Sequence, residues 1–125
     1  MGYESKLYIV NKLPEHVAIK DNGMQYCELI AMVDLCKYYK WSEKATNYPR
    51  TNCYFYAEDG NKQIVEDGYG YPLKEISLDD AIEILDEAFY SGDNYRRLGP
   101  ALTLLQSLKD NENQWNEIVV LHYGY

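Results

Sequence analysis

Carboxylates are the side chains through which this sequence speaks most clearly of chemistry. Residues 58 to 93 hold eleven acids against Lys62 and Lys74, a local net charge of −9, while the other residues together carry +1. One group, Glu58, Asp59, Glu66 and Asp67, flanks an Asp-Gly turn signal. The other, Asp79, Asp80, Glu83, Asp86 and Glu87, lies in a stretch of helical periodicity. With Leu78 as origin and about 100° per residue, these acids fall at roughly 80° to 200°. They share the face opposite an apolar stripe of Leu78, Ile82, Leu85 and Phe89. Like charges one turn apart, as in Asp79/Glu83 and Glu83/Glu87, cost a few tenths of a kcal/mol each. Asp79 and Asp80 recover some of this from the helix dipole, whereas Asp86 and Glu87 lie too late to benefit. Such a face either keeps an acidic protein soluble or is presented to a basic partner. In the second case association is steered by charge and weakened by salt.

The opposite sign gathers in residues 37 to 50. Lys37, Lys40, Lys44 and Arg50 stand there against Glu43, with Tyr38, Tyr39, Trp41 and Tyr48 interleaved. Basic and aromatic residues together grip nucleotides or single strands. Lys37, Lys40, Trp41, Tyr48 and Arg50 therefore form an alternative ligand-binding set, beside the simpler reading of an ordinary connection between strands. The net charge of −8 opposes direct binding of nucleic acid by the whole chain.

Other constellations are poorly supported. His16 and His122 are the two histidines, and nothing in their spacing marks a nucleophile–base arrangement. Cys27, Cys36, Cys53 and His122 show no CxxC or HxxxH spacing for a metal. The loop Asp67-Gly68-Tyr69-Gly70-Tyr71-Pro72 lacks the GxGxxG order and a Walker lysine. No catalytic residue, metal or cofactor is expected.

The elements that must position these groups follow from periodicity. Lys6 to Asn11 reads as a strand, closed by Pro14 and the turn signal Lys20-Asp21-Asn22-Gly23. Gln25 to Tyr38 fits a strand better than a competing helix, being rich in β-branched and aromatic residues. Thr51 to Glu58 and Gln63 to Glu66 form a hairpin about Asp59-Gly60. Residues 67 to 73 read as a loop. Ser77 caps a helix running to about Tyr90, and Ser91-Gly92-Asp93-Asn94 stops it. A second helix begins near Gly99-Pro100, buries Leu98, Ala101, Leu102, Leu105 and Leu108, and ends at Asn111 to Asn113. Glu117 to Tyr123 is a buried strand by its nearly continuous apolar run. The predicted fold is α+β: a mostly antiparallel sheet of four or five strands, with two helices packed on one face.

The chain's 125 residues suit one domain, residues 1–125, with no linker or repeat dividing it. Hydrophobic residues at 46% place it among globular proteins. Fourteen tyrosines against two phenylalanines suit half-buried strands and contact surfaces alike. Three cysteines in apolar, strand-like segments point to reduced core thiols. The first residues carry no signal-peptide core, and no apolar run approaches a membrane span. The expected location is the cytoplasm.

Three segments carry a resemblance: Met1-Gly2-Tyr3-Glu4-Ser5-Lys6-Leu7-Tyr8-Ile9-Val10, Cys53-Tyr54-Phe55-Tyr56-Ala57-Glu58-Asp59-Gly60 and Val119-Val120-Leu121-His122-Tyr123-Gly124-Tyr125. In texture they resemble small uncharacterised proteins of phages that infect Gram-positive bacteria. The resemblance implies an anti-defence role, such as anti-CRISPR-like inhibition of a host nuclease by occupying its nucleic-acid site. It carries over no individual functional residue. The expectation is an acidic phage-type protein that inhibits a host nucleic-acid-handling enzyme. It would have no enzymatic activity and would bind neither nucleic acid nor membrane directly; the sequence leaves its oligomeric state open, a dimer included. Its partner would be a host protein with a basic surface. The alternatives are a small-ligand or nucleotide-binding protein and, third, a small enzyme.

Overall fold

A computed structural model describes residues 5–17, 20–21, 23–34, 48–56, 63–66, 70, 72–90 and 98–124. Seven strands are described: β1 (Ser5–Lys12), β2 (Lys20–Asp21), β3 (Met24–Asp34), β4 (Cys53–Tyr56), β5 (Gln63–Ile64), β6 (Lys74–Ser77) and β7 (Ile118–Gly124). Helices α1 (Leu78–Tyr90) and α2 (Leu98–Asp110) lie between β6 and β7 in the chain. The hydrogen-bonded order is β5-β4-β3-β1-β7-β6, with β2 attached to β3 outside that path. Gly23, at φ 81°, supplies the left-handed turn residue between β2 and β3.

The α+β class and the two helices agree with the sequence; the sheet is larger and mixed. β3 and β4 run parallel, pairing Gln25 with Cys53 and Tyr26 with Tyr54, so the antiparallel expectation fails at that seam. β6 was hidden in the sequence because it is four residues long and passes directly into α1. β2 coincides with the predicted turn signal, whose first residues form a two-residue ladder. Antiparallel pairing of Phe55 with Ile64 and of Tyr56 with Gln63 bears out the strands of the hairpin. Its turn, and residues 35–38 of the second predicted strand, lie outside the described residues.

The sheet closes on itself. Gln25 N–H donates to the Asn52 carbonyl at 2.7 Å, so the approach to β4 is bonded to β3. The same stretch bonds β6 on its other side: Thr51 N–H reaches the Leu73 carbonyl, and Glu75 N–H the Pro49 carbonyl, both at 2.9 Å. Arg50 and Lys74 thus form an antiparallel bridge, joining β6 to the stretch that leads into β4 and closing a small barrel that leaves β5 paired on β4 alone.

Closure explains why the strands are apolar on both faces. Leu7, Ile9, Ile76 and Val120 face outward and bury against Leu78, Ala81, Leu85, Ala101, Leu102 and Leu105 of the helices. Val10, Cys27, Cys53, Phe55, Leu73, Val119 and Leu121 form a second, interior cluster. Strands covered on both sides read as continuous runs, as Leu7-Tyr8-Ile9-Val10 and Val119-Val120-Leu121 do. Ile30 is skipped where the β1–β3 register shifts, pairing Ile9 with Ala31 but Val10 with Leu29. This bulge lets Cys27 and Leu29 join the interior while Ala31 and Val33 pack beneath the helices.

Asn11 fixes the start of β7. Its buried Oδ1 accepts the N–H groups of Asn116 at 2.9 Å and Glu117 at 3.1 Å. Asn11→Ala strands both donors and is expected to cost about 1–3 kcal/mol. Urea unfolding checks this, with a lowered midpoint and an unchanged slope as the expected result.

Candidate functional site

Helix α1 begins where β6 ends, and Ser77 Oγ accepts the Asp80 N–H at 3.1 Å, the N-cap bond expected from sequence. Leu78, Ala81 and Leu85 turn inward. The acidic face turns out: Asp79, Glu83 and Glu87 are exposed, and Asp80 and Asp86 are half-buried. All five predicted helix acids therefore share one surface.

Among the described residues, Asp79 and Asp80 have partners within the chain. Lys109 of α2 places its ammonium 3.0 Å from Asp79 Oδ1 and 3.0 Å from Glu112 Oε1. Asp79 and then Glu112 hold the Lys109 pKa above its ordinary value. The Tyr48 hydroxyl donates to Asp80 Oδ2 at 3.3 Å. Burial, followed by the charge of Asp80, raises the tyrosine's pKa. Glu83, Asp86 and Glu87 form no ion pair among the described residues.

Of the remaining predicted residues, the described ones are dispersed. Glu66 is exposed and bridges Pro72 ahead of β6, with no described contact to α1. Glu58, Asp59 and Asp67 lie outside the described residues, as do Lys37, Lys40 and Trp41 of the alternative ligand set. Of that set Tyr48 leans on the acidic helix, packing against the helix-side core, and Arg50 is exposed at the bridge to Lys74. His16 is exposed in a single 3-10 turn, whereas His122 is buried in β7 between Leu7 and Lys74.

Sequence reasoning missed a polar cluster at the barrel's interior. Glu75 alternates with Ile76 along β6 and so points inward. Its Oε2 accepts from Lys12 Nζ at 3.0 Å, and its Oε1 accepts from the Thr51 hydroxyl at 2.9 Å. Cys53 Sγ lies 3.7 Å from Oε1, and the Cys53 N–H donates to Thr51 Oγ1 at 3.0 Å. Glu117 adds a looser contact to Lys12 at 3.8 Å. Burial opposes the charge on Lys12, but the bond to Glu75 and its carboxylate outweigh this and raise the pKa.

Cys27 and Cys53 are both fully buried, on the two strands that form the parallel seam. Contact with Cys27, then with Thr51 and the charge of Lys12, holds Cys53 below the usual thiol value despite burial. Contact with Cys53 and burial push Cys27 up. The available sequence signal was a carboxylate on the inward side of a short alternating segment, Leu73-Lys74-Glu75-Ile76. It was absorbed into the count of acids around it.

The fold and its surfaces define an acidic α+β barrel protein with one charged helix face. No protein-family model, curated protein or solved structure matches this chain. Among the described residues no helix is long and apolar enough to cross a membrane.

Proposed function

We propose that this chain is a binding protein that inhibits a nucleic-acid-handling enzyme by docking the acidic face of α1 on the enzyme's basic surface. The carrying observation is the outward array of Asp79, Asp80, Glu83, Asp86 and Glu87, in which Lys109 is the cation described against a helix acid. Carboxylates one turn apart stand about 5–6 Å from each other, close to phosphate spacing along a strand. A groove built for phosphates would take such a face with its own lysines and arginines. Rigid presentation helps, since α1 packs against both α2 and the barrel and loses little freedom on docking. Tyr48 at the edge of this surface contributes aromatic contact area. The phage resemblance fits this role, with the cytoplasm of a bacterial host as the place of action.

Affinity capture from bacterial lysate, at low and high salt with mass spectrometry, tests the reading. A basic nuclease or related enzyme retained at low salt and released at high salt is the expected result. Capture of no protein at either salt would contradict it.

A further inference from the structure

We propose that Arg50 and Lys74 form a binding site for a phosphate group, on the outer face of the seam that closes the barrel. The two residues stand directly opposite each other across that seam. Thr51 N–H reaches the Leu73 carbonyl and Glu75 N–H the Pro49 carbonyl, so backbone bonds frame the pair from both sides and none joins it. In antiparallel strands this is the closer kind of pair, with Cα atoms about 4.5 Å apart and both side chains on one face. That face is the outer one, because the next residues, Thr51 and Glu75, meet in the interior.

Like charges placed opposite each other destabilise a sheet. Neither Arg50 nor Lys74 forms an ion pair among the described residues, in a chain with 20 acids against 12 basic residues. Acids border the pair without bonding to it: Asp80 accepts from the Tyr48 hydroxyl, and Glu66 lies opposite Pro72. Arg50 is exposed and Lys74 half-buried, so the pair opens to solvent. On its inner side Lys74 is level with His122, which is buried beside Leu7. An anion seated between the two cations would turn their repulsion into two attractions.

Charge and shape select phosphate. A phosphate monoester carries about −1.5 to −2 at neutral pH and so matches two cations, whereas a carboxylate matches one. Guanidinium supplies a planar fork of donors and ammonium a point charge, and both suit phosphate oxygens. Tyr48 lies two residues before Arg50, on the same face, and offers a half-buried ring to the organic part of an ester.

The test titrates the full chain with inorganic phosphate and with adenosine monophosphate, against sodium chloride at equal ionic strength. Both ligands should raise the thermal midpoint, by roughly 5 °C at about ten times the dissociation constant. Calorimetric titration should show affinity falling about tenfold or more in Arg50→Gln and in Lys74→Gln. Without ligand, either variant should unfold at the wild-type temperature or slightly above it, because the like-charge pair is gone. Lys20→Gln, at an exposed cation of β2, should bind phosphate as the wild type does. Tighter binding of adenosine monophosphate would identify an ester as the ligand, and equal affinities the phosphate group by itself. Midpoints no higher than in sodium chloride would overturn the proposal. So would full-strength binding by both Arg50→Gln and Lys74→Gln, or a loss as large in Lys20→Gln.

Discussion

Phe55→Ala is expected to destabilise the chain by about 3–5 kcal/mol, the largest effect of any single truncation considered. Phe55 is fully buried inside the barrel, with its ring centroid 4.6 Å from that of Tyr8. Its neighbours in that cluster come from β1, β3, β4, β5 and β7, so truncation opens a void facing several strands at once. A closed barrel cannot collapse into such a void without breaking the hydrogen bonds that close it, so little of the lost packing is recovered. Domains of this kind have about 5–15 kcal/mol in total, and the variant would be partly unfolded at modest temperature. The control is the next residue. Tyr56 points outward and is 43% exposed, touching Tyr26 and Tyr54 at ring distances of 5.9 and 6.0 Å. Tyr56→Ala is expected to cost about 1 kcal/mol. Urea unfolding of both variants decides the matter. Similar losses at the two positions would contradict an interior for β4 that differs from its exterior.

The contrast between these neighbours shows what could be read from the sequence and what could not. Alternation in Cys53-Tyr54-Phe55-Tyr56 gave the strand and its two faces, because side-chain direction alternates along any strand. The Ser77 cap and the stripe Leu78, Ile82, Leu85 placed α1 for the same local reason. Barrel closure was not legible. It rests on backbone hydrogen bonds between residues 49–51 and 73–75, and backbone bonding leaves no mark in side-chain identity. Nor was the parallel pairing of β3 with β4, which depends on the end from which the chain enters β4. The exposed acids were legible as a surface because charge at helical spacing is a local pattern. Glu75 was not separable from them by composition, and only the third dimension turns it inward to Lys12 and Thr51.

The second large effect concerns binding. Reversing Glu83 and Glu87 to lysine replaces two exposed carboxylates of the acidic face and touches no buried group. The fold should tolerate it well. The like-charge pair at 83 and 87 is kept with its sign reversed, while a lysine at 83 gains Asp79, Asp80 and Asp86 at i±3 or i±4 as opposite charges. The thermal midpoint is expected to stay level or rise slightly. Docking, in contrast, would place lysines against a basic surface, where like charges cost several kcal/mol. A loss of roughly 100-fold or more in affinity follows, since each 1.4 kcal/mol is a factor of ten. Substituting an exposed polar residue of α2, as in Gln106→Lys, leaves all five helix acids in place and should change affinity little.

The most direct measurement is therefore a titration of the captured enzyme with wild-type protein and with the Glu83→Lys/Glu87→Lys variant, at one low salt concentration. Circular dichroism and thermal unfolding confirm that the variant is folded. The account predicts salt-sensitive binding by the wild type and a loss of roughly 100-fold or more in the variant. A folded variant that binds at full strength would contradict the assignment of the α1 face as the docking surface.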